Sequence, residues 1–208
     1  MRPEIREFLV LLSKLLVTIS VANLIIFGTL YFLSFNEGFY EKEFEKLDID
    51  VEGDYKPHFY NALDYMKGKD VVLSDYFNQK EKKHFSDVRD IYSFIRNMLI
   101  ASGVFLLLGL YLGHEGIANG SILGFLFSLV IGIGSIIDFN WLFVRMHEIV
   151  FTNDLWRMDY FSDKIIRIMP EQLFFDLGIR WLSYVALISI FIFFCYLISR
   201  SYYLSTRE

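Results

Sequence analysis

One cysteine, Cys195, is all that this chain of 208 residues contains. A disulfide framework within the chain is therefore excluded, and so is a cysteine metal cluster. Positive charge is also scarce. The 20 Lys and Arg are outnumbered by 25 Asp and Glu, and the net charge of -5 has the wrong sign for a nucleic-acid partner. No Gly-x-Ser-x-Gly run occurs, and no serine stands out as an activated nucleophile, so a serine hydrolase finds no support. His147 and Glu148 begin like the His-Glu-x-x-His helix of a metalloprotease, but Phe151 occupies the place of the second histidine. Ionisable side chains are almost missing from the long apolar runs. Lys14 near one end and Arg96 near the other are the exceptions, which argues against an ion or solute path.

Apolar residues, by contrast, are plentiful. Hydrophobic side chains make up 54% of the chain and aromatic ones 18%, which at this length points to a bilayer rather than water as the solvent. Crossing a hydrocarbon core of ~30 Å takes roughly 20 helical residues. Four stretches qualify, at about 8–33, 94–112, 117–137 and 181–198. Each is read as a helix, because backbone polar groups cannot stay unpaired in lipid. The first is too long for a signal peptide and no small-residue cleavage site follows it, so it reads as an uncleaved anchor. Cys195 sits in the last run, as a small apolar side chain facing lipid or a neighbouring helix. Gly120, Gly124, Ser128 and Gly132 recur every fourth residue in the third run, a small-residue face suited to close helix packing.

The expected fold class is an all-α integral membrane protein, one membrane domain of four transmembrane helices. A small, mainly helical extracytoplasmic subdomain would come from the connections at about 34–93 and 138–180. Arg2, Arg6, Arg200 and Arg207 flank the spans on one side, where the short connection LGHEGIA also lies, so both termini are expected in the cytoplasm. Glu41, Glu43, Glu45, Asp48, Asp50, Glu52 and Asp54 read as a solvated acidic surface. Pro57 to Lys67 reads as a short amphipathic helix with Pro57 in its first turn and Gly68 as its stop. VVLSDYF reads as a short strand or extended stretch. Ser86 or Asp87 is the expected cap of the helix entering span two. Pro170 marks a break, after which EQLFFDLGIRW runs directly into span four.

Of four histidines, His58 and His114 read as surface residues. His84 lies in KEKKHFSDVRD, where Asp87, three positions on, shares its helix face and is placed to hold the second ring nitrogen. The alternative for His84 is a solvated turn capping span two. His147 opens a stretch in which Glu148, Asn153, Asp154, Arg157, Asp159 and Asp163 are interleaved with Trp156, Phe174 and Phe175. An interfacial aromatic belt would explain part of that composition. A zinc site of His84, His147 and a carboxylate is a further alternative.

The stretches KEKKHFSDVRDIY and FNWLFVRMHEIVFTNDLWRMDYFSDKIIRIMPEQLFFDLGIR resemble the signature regions of the lipoprotein intramolecular transacylases. The second carries His147-x-Ile-x-Phe-x-Asn-Asp-x-Trp, and the likeness extends to the four-span architecture and the length of the chain. Tyr160 departs from a proline common in the family. The resemblance implies a bacterial acyltransferase of the cytoplasmic membrane without metal or cofactor. Its substrate is a lipoprotein whose N-terminal cysteine carries an S-diacylglyceryl group. The sn-2 acyl chain moves to the α-amino group and gives the lyso-form lipoprotein. It further implies His84 and His147 as the catalytic pair, working by acid/base exchange. Asp87 and Asp154 are candidates to orient the rings, and Asn153, Arg157 and Arg180 to bind the oxyanion or the lipoprotein backbone. Which imidazole is base and which acid stays open, as does a transient acyl-imidazole. The rival functions are a metal-dependent membrane lipid hydrolase using the same histidines and a non-catalytic lipid-binding membrane protein.

Overall fold

The structure, a computed structural model, describes residues 2–49, 51, 53–112 and 116–206. Asp50, Glu52, His114 and Glu115, the core of the expected short turn, and Arg207 lie outside the described residues. Helices account for every regular element among the described residues. They are α1 (Pro3–Ser34), α2 (Glu37–Leu47), α3 (Lys56–Lys67), α4 (Gln79–Leu112), α5 (Ile117–Val150), α6 (Ile165–Ile168) and α7 (Glu171–Ser205). Helices α1, α4, α5 and α7 are long and apolar enough to cross a membrane. At 34 residues, α4 rises about 51 Å, well beyond a hydrocarbon core of about 30 Å, and α5 has as many residues in two helical pieces. Their polar ends therefore extend past the apolar stretches, and those ends carry His84 and His147.

The chain divides into two compact units. The first comprises Met1–Leu30, Asn97–Ile133 and Arg180–Glu208, the apolar parts of the four long helices. Val17, Val21, Ile25 and Val185 are buried at its centre, while Leu107, Ile122, Phe191 and Phe194 are exposed. Apolar side chains on both faces of a helix are what a lipid solvent calls for. Cys195 is exposed there as well. The small-residue face does close-packing work. A Cβ added at Gly120 would lie 2.6 Å from Val21 Cβ and 2.7 Å from the Thr18 carbonyl oxygen, and one at Gly124 would lie 2.7 Å from Ser189 Oγ. Only a residue without a side chain lets α5 approach α1 this closely. Two polar side chains inside the unit find backbone partners. Ser13 Oγ donates to the Gly109 carbonyl at 2.9 Å and Trp181 Nε1 donates to the Ile26 carbonyl at 2.8 Å.

The second unit, Tyr31–Arg96 and Gly134–Ile179, is built around aromatic side chains. Phe39, Tyr40, Phe44, Phe59, Phe77 and Phe85 are all buried, with Ile168 and Leu173 beside them. Phe59 anchors the set, with ring centres 4.8 Å from Tyr40 and 4.9 Å from Phe44. Asn36 caps α2 by accepting from the Phe39 amide at 3.0 Å. Helix α3 carries Pro57 in its first turn and ends on Gly68, whose φ of 92° is open to glycine at no steric cost. Both features match the sequence reading, as does the run of α7 from Glu171 without a break.

Two local readings are corrected and two are refined. The acidic stretch is not only a solvated surface: Glu37–Leu47 is a helix that buries Phe39, Tyr40, Glu43 and Phe44. Lys46, one turn on, neutralises Glu43 at 3.2 Å and makes burial of that carboxylate tolerable. Residues 71–77 form no strand: 71–74 are irregular and a turn follows at 75–76. The start of α4 lies at Gln79 rather than near Ser86 or Asp87. Asn78 Oδ1 accepts from the Glu81 amide at 3.0 Å while Glu81 Oε2 accepts from the Asn78 amide at 2.7 Å. That reciprocal box starts the helix two turns earlier. Finally, α5 is interrupted at Asp138 (φ -155°, ψ 88°), where an extended backbone breaks the helical ladder. The Asp138 carboxylate accepts from the Trp141 amide at 2.9 Å and so caps the portion that carries His147.

Candidate active site

His84 lies in the second turn of α4, and the box that starts this helix also anchors it. Glu81 is fully buried, and its other oxygen, Oε1, accepts from the Ile165 amide at 2.7 Å. Asp163, 1% exposed, accepts from Lys80 Nζ at 2.8 Å, from Asn78 Nδ2 at 2.8 Å and from the Asp159 amide at 2.8 Å. A buried carboxylate needs this many partners to stay charged. The start of α4 is thereby stitched to residues 159–165, the segment that follows His147 in the chain. Two stretches distant in sequence are held together by four polar side chains.

The two imidazoles meet on one aromatic ring. The Phe151 ring centre is 5.1 Å from that of His84 and 5.5 Å from that of His147, with the latter pair nearly parallel at 26°. The histidine rings can be no further apart than those two distances laid end to end. Phe143, at 4.2 Å, and Trp156, at 5.0 Å, complete an aromatic enclosure around His147. Both histidines are 8% exposed.

Hydrogen bonding distinguishes the pair. His147 Nδ1 lies 2.7 Å from the Phe143 carbonyl oxygen. A carbonyl only accepts, so Nδ1 carries the proton and Nε2 of the neutral ring keeps a free lone pair. His84 Nδ1 is buried and finds no hydrogen-bond partner among the described residues. Burial disfavours the charged form of both rings. It is the main cause that holds His84 down to about 4, with His147 adding to the effect, Asp87 opposing it and Lys80 a smaller contribution in the same sense as His147. Burial likewise lowers His147, against the Phe143 carbonyl. Both rings rest neutral at pH 7.

The remaining expected residues fall in different places. Asp87 shares the helix face of His84, but its carboxylate accepts from Asn153 Nδ2 at 2.9 Å rather than gripping the imidazole. It acts on His84 as a nearby charge. Asn153 also accepts from the Leu155 amide at 3.0 Å, which fixes the loop after α5. Asp154 points outward, its side chain 84% exposed and paired with Arg157 at 3.0 Å. It orients neither ring. Arg157 stacks over Trp156 at 4.8 Å and reaches Glu148 at 3.6 Å. Arg180 belongs to the four-span unit, where it is half-buried on α7. Sequence reasoning passed over Phe143, Asn78 and Glu81, named Asp163 only as one of several polar residues after His147, and noted Phe151 only as the residue that spoils a zinc motif. Asn78-x-x-Glu81 was the legible signal, since it is a capping box written in the chain. Among the described residues no three His, Cys, Asp or Glu side chains stand close enough together to hold a metal ion.

These features define a multi-pass helical membrane protein with a buried pair of neutral imidazoles. The family model for the lipoprotein intramolecular transacylase Lit matches residues 8–175. The chain belongs to the lipoprotein intramolecular transacylase family and is an enzyme, an acyltransferase whose family acts on lipoproteins. A solved structure of the membrane-integral Lit from Bacillus cereus is similar at a TM-score of 0.80 and 22% identity, over 96% of this chain and 99% of that one. A form of the same protein with a histidine changed to alanine gives 0.79 at 23% identity, over 95% and 97%. The likeness to both is one of fold. No curated protein matches at a significant level.

Proposed function

We propose that the chain moves the sn-2 acyl group of an S-diacylglyceryl cysteine to the α-amino group of the same residue, with His84 and His147 handling the protons. The observation that carries this reading is the convergence of the two neutral imidazoles on Phe151. The amine attacks the ester carbonyl carbon, a C–N bond forms, and the C–O bond to glycerol breaks. No acyl-enzyme is required, which fits a chain with no activated serine and a lone cysteine far along α7. Nucleophile and ester belong to one molecule, so alignment supplies part of the ~7–11 kcal/mol available to well-oriented intramolecular reactions.

The proton bookkeeping follows from the resting charges. An α-ammonium with pKa ~7.7–8.0 has two protons to lose on the way to an amide. His147, whose Nε2 lone pair is free, serves as the base that takes the second during attack. His84 rests neutral, so it becomes an acid only after accepting the first, which it then gives to the leaving glycerol oxygen. The proton on His147 passes to solvent. Asn153, Arg157 and Arg180 remain the candidates for the oxyanion or the lipoprotein backbone. Both termini lie in the cytoplasm and the site on the extracytoplasmic face, the arrangement that the flanking arginines favour and that meets a lipid-anchored substrate.

The test is mass spectrometry of the N-terminal peptide of a diacylglyceryl lipoprotein incubated with the enzyme. An acyl group moved from glycerol to nitrogen at constant total mass is the expected result. Release of free fatty acid, or full conversion by both the His84→Ala and His147→Ala proteins, sinks the reading.

A further inference from the structure

We propose that Phe151 is a positioning residue, whose ring, lodged against both imidazoles, keeps the His84–His147 pair dry and denies it a divalent metal ion. The inference rests on the proposed role of the two histidines.

The geometry carries it. Two imidazoles that share one zinc ion through nitrogens at ~2.0–2.1 Å have ring centres about 5 Å apart. Phe151 stands at that spacing from each histidine, at 5.1 and 5.5 Å, and it lies four residues after His147 on the adjoining turn. A third ligand would belong there. Instead, the position holds a ring with no donor atom, stacked on His147 and tilted against His84. His84 Nδ1, buried and without a hydrogen-bond partner among the described residues, is the kind of atom that water or a metal ion would seek out. An apolar ring beside it leaves neither a foothold. The alternative structural role, filling space beside the two imidazoles, predicts no effect on their ionisation that differs between alanine and leucine.

The charged and titratable groups that act on His84 are His147 from α5, and Asp87 and Lys80 from its own helix. Asp87 is engaged with Asn153, and Arg157 faces Trp156 rather than either imidazole. None of these changes when Phe151 is replaced. A shift in titration on replacement therefore reports hydration by the ring's removal.

Purified full-length protein in detergent, with the histidines labelled with 15N, gives the readout by NMR titration. In Phe151→Ala, the imidazole midpoints should rise by about one pH unit toward ~6.5, while Phe151→Leu, still apolar, should keep them low. Phe151→His should retain zinc after gel filtration where the wild type does not, and should lose conversion that returns on adding a chelator. If Phe151→Ala does not fold, the leucine and histidine proteins decide. Unchanged midpoints in Phe151→Ala overturn the inference, as does a Phe151→His protein that holds no more zinc than the wild type. Failure of the histidine reading itself looks different: the two alanine variants of His84 and His147 would then convert lipoprotein at full rate whatever Phe151 does.

Discussion

His147 Nδ1 lies 2.7 Å from the carbonyl oxygen of Phe143, one helical turn back. The bond sets the tautomer and turns Nε2 toward whatever enters the enclosure. His147→Gln keeps a polar group of similar length but removes the base of the proposed mechanism. We expect conversion to fall by ~10²–10⁴-fold, with the helical circular dichroism and melting temperature near those of the wild type. A variant with undiminished rate would remove His147 from the proton path.

The resting charges predict a bell-shaped pH dependence. Under the proposed mechanism, the reacting complex must hold one proton, on the substrate's amine or on His84, and must leave His147 free. Burial lowers His147 below its ordinary value, so the acid limb should fall below pH ~6.5. The alkaline limb should follow the amine, near ~7.7–8.0. Conversion measured across pH 5 to 10 in constant ionic strength checks both, and a rate that keeps climbing well above the amine value would show that no stored proton is used.

Stability should follow pH with a definite sign. His84 titrates at about 4 in the folded chain, against ~6.5 unfolded, so between these values the unfolded state binds more protons. Stability therefore rises with pH through that window and is lost on acidification, by up to ~3 kcal/mol from this one group. Thermal melts of wild type and His84→Ala between pH 4 and 7 should diverge in steepness, and parallel curves would contradict the burial argument.

Glu81 is the buried knot between α4 and the segment after His147. Replacing it by alanine strands the amides of Asn78 and Ile165, each hydrogen-bonded to it at 2.7 Å. The Ile165 amide is buried and its loss costs ~1–3 kcal/mol, while the Asn78 amide lies nearer solvent and adds less, so Glu81→Ala should lose ~1–4 kcal/mol and much of its activity. Glu81→Gln, which preserves one acceptor, should fall between. Equal melting temperatures for alanine and wild type would refute the role.

Two glycines of α5 make an internal comparison. A Cβ at Gly120 meets Val21 and the Thr18 backbone at under 3 Å, while one at Gly134 meets nothing within 4 Å. Gly120→Ala should destabilise by ~1–3 kcal/mol through forced separation of α1 and α5. Gly134→Ala should be neutral or mildly stabilising. Unfolding in mixed micelles by increasing denaturing detergent would rank them.

Much of the fold could be read from the chain because its causes are local. Apolar runs of spanning length, Pro57 and Gly68 at the ends of α3, and glycines spaced four apart each act through their own neighbourhood. What escaped depended on partners from elsewhere. Glu43 reads as solvated until Lys46 and the aromatic core surround it. Asp87 has the spacing to hold His84, but Asn153, from a distant loop, claims its carboxylate. The two histidines were legible through their motifs, whereas the ring between them was not, since a phenylalanine among so many carries no mark of its place. Asp138 was hidden for a related reason: an aspartate at the end of an apolar run looks like a boundary, and only the backbone shows that a second helical piece starts from it.

The aromatic enclosure of His147 has a consequence for product choice. An activated ester can be opened by any nucleophile that reaches it, and water at ~55 M outnumbers a tethered amine unless it is kept away. Phe143, Phe151 and Trp156 line His147 with apolar surface that offers water no hydrogen-bond partner. Under the proposed reading, these rings tilt the competition so that the acyl chain is passed on within the lipoprotein instead of being shed from the membrane as soap.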